Sequence, residues 1–197
     1  MKRNKTLFLV EVALFSALAY VFDLLANIFQ LKIWAQGGSI SIAMVPVFLV
    51  AFRWGVKGGL LSGLLLGGLQ VITGQAWIAH PIQGILEYGI AFAVLGLAGI
   101  FATQIQQGIQ DQSKRKVVTY VIAGTLLGCA LRFLAHVMAG IIFFAEYAPE
   151  GTPAALYSFL YNGTYMLPSF ILSAIFVSIL INTAPKYFTV SNAKLNY

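Results

Sequence analysis

The chain has 197 residues, of which 59% are hydrophobic and only 9% charged, with a formal net charge of +6 and a mean hydropathy of +0.85. Water-soluble domains carry about 25% charged residues, so this composition excludes a soluble globular protein and points to an integral membrane protein. The single cysteine, Cys129, excludes an internal disulfide framework and a cysteine metal cluster. No metal or cofactor is expected.

The first twenty residues, MKRNKTLFLVEVALFSALAY, have the basic start, apolar stretch and Ala17-x-Ala19 of a signal peptide. Glu11 interrupts that stretch and the apolar pattern continues to Phe29, so the segment reads as a retained first helix. On one face of it Ala13 and Ala17 form a smooth strip of small residues, read from spacing as a packing surface. Lipid offers no partner to an open backbone, and about 20 apolar residues cross the hydrocarbon. The expected fold is therefore all-α, with six transmembrane helices at 6–29, 41–53, 55–73, 80–108, 115–145 and 153–183. No long polar linker divides the chain, so residues 1–197 are expected to form a single transmembrane domain.

The second and third helices are short, separated by RWGVKGG, whereas the fifth and sixth exceed a simple span. Glycines recur every fourth residue at Gly55, Gly59, Gly63 and Gly67, and again at Gly124 and Gly128, a spacing that lets helices approach closely. Lysine and arginine set the orientation. With the N-terminus inside, ten of them (Lys2, Arg3, Lys5, Arg53, Lys57, Lys114, Arg115, Lys116, Lys186, Lys194) fall on the cytoplasmic side and only Lys32 outside. Both termini are thus expected to be cytoplasmic. The excess positive charge is a topology signal, and nucleic acid drops out as a partner.

Few polar groups lie deep in the apolar helices. The fourth carries Gln83, Glu87 and Tyr88; the fifth carries Arg132 and His136, four apart and on one face; the sixth carries Tyr157, Tyr161, Asn162 and Tyr165. Counting from the outer helix ends at about 1.5 Å per residue, Glu87 lies roughly 9–10 Å deep and His136 and Asn162 roughly 13–14 Å. Three helices therefore place polar groups at one level of the outer leaflet. Phe144, Tyr147, Tyr157 and, from the first outer loop, Trp34 add aromatic faces near that level. An acid among π faces suits a flat cation, with Arg132, His136 and Asn162 available to a heteroaromatic edge. Gly37 and Gly38 give the loop carrying Trp34 the freedom to close as a lid. Alternatively, Glu87 and Arg132 neutralise each other as a structural ion pair, and the outer tryptophans and tyrosines belong to the interfacial belt. His80, before Pro81, reads as the start of a helix. No catalytic motif and no phosphate-binding Gly-Lys-Ser/Thr loop is present, so binding without chemistry is the expected class: not an enzyme.

The blocks GGSISIAMVPVF, RWGVKGGLLSGLLLGGLQ, HPIQGILEYGIAF, HVMAGIIFFAEYAPEG and LYSFLYNG together resemble the thiamine-specific substrate-binding (S) components of energy-coupling factor (ECF) transporters, over roughly residues 7–183. The resemblance implies a six-helix fold in a bacterial cytoplasmic membrane that captures thiamine outside. It implies passage inward with a transmembrane coupling protein (T component) and two ATPases, the whole subunit toppling in the membrane. It assigns Glu87 to the thiazolium and aminopyrimidine, Tyr88 to the hydroxyethyl end, His136 and Trp34 to ring stacking, and Tyr157 and Asn162 to the pyrimidine edge. Gly140 leaves room for the ligand, and Ala13 and Ala17 meet the coupling protein. Two positions depart from the pattern: lysine is expected where Arg132 stands and tryptophan where Phe144 stands, while Trp77 takes the place of an aromatic rim residue. Rival readings are an S component for another vitamin such as riboflavin, a stand-alone proton-coupled transporter using Glu87 and His136, and an intramembrane enzyme.

Overall fold

A computed structural model describes residues 5–29, 31 and 38–189. Among these, six helices cross or enter the membrane layer: α1 (Lys5–Ile28), α2 (Met44–Trp54), α3 (Val56–Ile72), α4 (Pro81–Gln110), α5 (Lys114–Phe143) and α6 (Ala154–Thr183). Four of them, α1 and α4 to α6, are long and apolar enough to span. At 30 residues each, α5 and α6 are about 45 Å long, well beyond the roughly 30 Å hydrocarbon layer.

The short helix α2 organises the rest. It is buried along its length except at Arg53, and Phe48 and Phe52 on it are wholly enclosed with Leu66, Leu95 and Ile105 from α3 and α4. Its eleven residues cover only about 16 Å. Because its Trp54 end is turned inward, the helix begins near mid-membrane, and the outer half of the bundle above Met44 is left for a cavity. The turn into α3 is made by Gly55 at φ +77°, a left-handed conformation that favours glycine.

Lipid tails are as apolar as leucine, so these helices associate through close packing rather than by escaping water. The glycines of α3 show how close. A Cβ at Gly63 would lie 2.1 Å from the Phe92 carbonyl oxygen, and one at Gly67 would lie 1.8 Å from that of Tyr88. The expected packing role of the glycine repeat is therefore realised as backbone contact between α3 and α4. That contact fixes the height and rotation of the segment carrying Glu87, Tyr88 and Phe92.

At the inner end, Glu11 explains itself. Its carboxylate accepts bonds from Arg53 Nε at 2.5 Å, Arg53 Nη2 at 2.9 Å and Trp54 Nε1 at 2.6 Å, fastening α1 to the α2–α3 turn. Gln106 of α4 donates to the carbonyls of Phe52 and Arg53 in the same layer. Elsewhere α1 is peripheral. Val12, Ser16, Ala19 and Ala26 face inward, whereas Ala13 and Ala17 are exposed on the opposite side beside Val10, Leu14 and Leu18. Cys129 is buried and reduced, with Sγ 3.8 Å from Met44 Sδ.

Candidate binding site

The space above α2 is a cavity of about 410 Å³. Its walls come from α1, α3, α4, α5 and α6, and Ser39, Ser41 and Met44 contribute near its base. Glu87, Tyr88, Arg132, His136, Gly140, Phe144, Tyr157 and Asn162 all line it. Trp34 lies outside the described residues.

The fourth helix is not uniform. It starts as an α-turn, capped by His80, whose Nδ1 accepts the Ile82 N–H at 3.2 Å, and widens to a π-helical stretch over Ile85–Ile90. Such wide turns recur at functional sites. Here the widening lets the sequence neighbours Glu87 and Tyr88 both reach the cavity.

Glu87 sits in a chain of polar contacts. Its Oε1 lies 3.3 Å from His136 Nδ1, and its Oε2 accepts a short bond from Gln83 Nε2. Arg132 Nε donates to His136 Nε2 at 3.2 Å. A guanidinium only donates, so His136 Nε2 must accept, and the ring proton sits on Nδ1, facing the carboxylate. The three groups thus run Arg132 to His136 to Glu87, with the imidazole neutral. The direct Arg132–Glu87 pairing weighed from the sequence is not what the side chains make: His136 stands between them, and the arginine head lies over the Phe92 ring, 4.0 Å from its centroid. The i, i+4 spacing of Arg132 and His136 on α5 lets them satisfy each other first. Gln83, wholly buried, also donates to the Trp77 carbonyl at 3.2 Å and accepts from the Ala79 N–H at 3.1 Å. One amide therefore ties Glu87 to the α3–α4 connection.

That connection forms part of the rim. Trp77 stacks on Phe144 with centroids 5.2 Å apart and 22° between planes, and Tyr147 meets Phe144 edge-on at 6.2 Å. The smaller ring at position 144 thus still stacks. Tyr88 accepts the Trp77 N–H at 3.0 Å and lies parallel to Phe92. Across the cavity, Tyr157, Tyr161 and Tyr165 form a ladder with centroid separations of 5.7 and 6.2 Å. Asn162 is 4% exposed and already engaged: it donates to the Ser158 carbonyl at 2.8 Å and hydroxyl at 3.2 Å, and accepts from the Tyr165 hydroxyl at 2.5 Å. A ligand bond to Asn162 would use the second lone pair of Oδ1. Gly140 packs against α6, where a Cβ would lie 2.1 Å from Ser158 Oγ.

The sequence reading missed Asp23, Gln70, Phe92 and Ser158, all of which line the cavity. Asp23 was findable as an acid within the apolar run of 6–29. Gln70 was hidden by the glycine repeat around it.

A bundle of this kind, with an outward polar and aromatic cavity over a packed inner half, has the form of a membrane-embedded binding protein for a small solute. Comparison with known proteins makes this specific. The model of the family described as thiamine transporter protein (Thia_YuaJ) matches residues 9–189, and the chain belongs to that family. The chain is 43% identical over 178 residues to the thiamine transporter ThiT of Bacillus subtilis (strain 168), covering 90% of this chain and 92% of that one. It is 32% identical over 158 residues to ThiT of Lacticaseibacillus paracasei, covering 79% of each. A solved structure of ThiT from Listeria monocytogenes superposes with a TM-score of 0.87 at 33% identity, over 94% of this chain and 99% of that one. The protein is a multi-pass membrane transporter of the bacterial cytoplasmic membrane and not an enzyme.

Proposed function

We propose that residues 1–197 act as one transmembrane domain that binds thiamine in the outer cavity, as the S component of an ECF transporter. The observation that carries this reading is the Arg132–His136–Glu87 chain set among the rings of Phe92, Phe144, Tyr157 and Tyr161. A carboxylate held by neutral donors can exchange part of that hydrogen bonding for a thiazolium, and the surrounding π faces favour the same charge. His136 and Phe144 stack on the ligand rings, Tyr88 meets the hydroxyethyl end, and Tyr157 and Asn162 meet the pyrimidine edge. Trp34 closes over the ligand from the first outer loop. Ala13 and Ala17, exposed on α1, dock the T component, which with two ATPases drives the vitamin inward. Family membership and the absence of a phosphate-binding loop in the sequence support this division of labour.

The test is a titration of the detergent-solubilised protein with thiamine, followed by tryptophan fluorescence. Saturable quenching that is lost in Trp34→Phe is expected. A response to riboflavin and none to thiamine would overturn the substrate. Uptake into liposomes by this chain alone, abolished by collapsing a proton gradient, would overturn the dependence on partners.

A further inference from the structure

The bonds that orient the Asn162 amide each have only one possible direction. The Ser158 carbonyl can only accept, so it takes an Nδ2 hydrogen at 2.8 Å. The Ser158 hydroxyl gives its one proton to the Val137 carbonyl on α5 at 2.9 Å, so toward Nδ2, at 3.2 Å, it too can only accept. The Tyr165 hydroxyl gives its proton to Oδ1 at 2.5 Å. The nitrogen end of the amide is thereby committed to Ser158, and the cavity is offered the oxygen.

Packing fixes both partners in turn. A Cβ at Gly140 would lie 2.1 Å from Ser158 Oγ, so glycine there is what lets the serine reach from α6 to the α5 backbone. Tyr165 is clamped on several sides. Gly38 lies against its ring, where a Cβ would come within 2.6 Å, and the rings of Tyr161 and His136 meet it edge-on at 6.2 and 6.5 Å. Ser158, Asn162 and Tyr165 are all buried, and all line the cavity. An amide turned end for end would set its oxygen against two Ser158 oxygens that have no proton to give. A buried polar group left without its partner is costly, so the amide keeps one orientation.

Resting on the thiamine reading above, we propose that Ser158 and Tyr165 are positioning residues that hold Asn162 oxygen-first toward the pyrimidine, so that this edge of the cavity selects the ligand's exocyclic amine, a donor, and rejects a carbonyl in its place. The full-length protein in detergent is titrated with thiamine and with the analogue in which a carbonyl replaces that amine. Both ligands carry the same thiazolium charge, so the comparison reads hydrogen bonding. The analogue is expected to bind about tenfold or more weaker, because two lone pairs would meet in a buried site. In Asn162→Ala the ratio of the two affinities should shrink about fivefold or more. The same fall is expected in Ser158→Ala/Tyr165→Phe, where the amide is free to turn. A purely structural role would lower both affinities together and leave their ratio unchanged. Equal binding of the two ligands by the unmodified protein overturns the proposal. So does a ratio undiminished in Asn162→Ala, which would put the selection on another acceptor such as Glu87, or one undiminished in the double variant. If the double variant does not fold, Tyr165→Phe alone is read by the same ratio. Absence of any thiamine binding by the unmodified protein is a different result: it removes the ligand reading, and this proposal with it.

Discussion

His136 stands between Arg132 and Glu87, accepting from the guanidinium at 3.2 Å through Nε2 and facing the carboxylate at 3.3 Å through Nδ1. The imidazole thereby keeps two opposite charges of the cavity apart while satisfying both. An arginine bonded directly to Glu87 would occupy the face that a cationic ligand needs. Among the described residues the carboxylate's hydrogen-bond partners, Gln83 and the interposed ring, are neutral, which keeps its charge available to a solute.

Glu87→Gln removes that charge and keeps the shape. Thiamine affinity should fall by roughly 1.5–3 kcal/mol, or about ten- to hundredfold, the usual weight of a hydrogen bond to a charged group. Calorimetric titration measures it. Unchanged affinity would take Glu87 out of the site.

Gln83→Leu leaves the Trp77 carbonyl and Glu87 Oε2 without their shared donor. An orphaned buried polar group costs about 1–3 kcal/mol. Both the melting temperature and thiamine affinity should drop together, because the rim and the acid are held by one amide. A lower melting temperature with undiminished affinity would show that the amide supports the fold alone.

Two neighbouring glycines should behave oppositely. A Cβ at Gly67 meets the Tyr88 carbonyl, whereas one at Gly68 meets nothing within 4 Å. Gly67→Ala should cost about 1–3 kcal/mol of stability through overpacking and weaken binding by displacing Tyr88. Gly68→Ala should be neutral or stabilising by about 0.5–1 kcal/mol, as expected for a helix interior. Thermal unfolding of the two variants side by side distinguishes them, and equal effects would argue against the backbone contact as the element that positions α4.

Ala13→Trp enlarges the exposed strip of α1 without touching the cavity. Thiamine binding by the isolated subunit should be unchanged, and uptake with the T component and ATPases should be lost. Normal uptake in proteoliposomes would refute docking at this strip.

Much of the frame could be read in the chain because lipid leaves the backbone few choices. Apolar run length marks the helices, and the lysines and arginines mark the inner side. The common level of Glu87, His136 and Asn162 was accessible too, since helical rise converts residue counts into depth. Partners were harder. Whether Arg132 meets Glu87 or His136 depends on the distance between α4 and α5, which the glycines set only after packing. Asp23 interrupts the apolar run of the first helix, but an acid one turn and a half from a helix end also suits the interface, and the fold is what brings it to the cavity wall. The widened turn at Ile85–Ile90 leaves no compositional trace, being a response to its surroundings. Trp34 falls outside the described residues, so its part in closing the cavity rests on the fluorescence titration.

The half-length α2 has a consequence for the cell's energy. Beneath the cavity its side chains are enclosed from Met44 to Phe52, with the rings of Phe48 and Phe52 at the centre. About 16 Å of packed helix therefore lies between the floor of the cavity and the inner end of the bundle. Such a layer is a poor conductor, because an ion would have to shed its water among enclosed aromatic and aliphatic side chains. Idle copies of the protein can accumulate in the membrane without short-circuiting the proton or sodium gradient, and thiamine scarcity can be met by making more of them at no cost to the membrane potential.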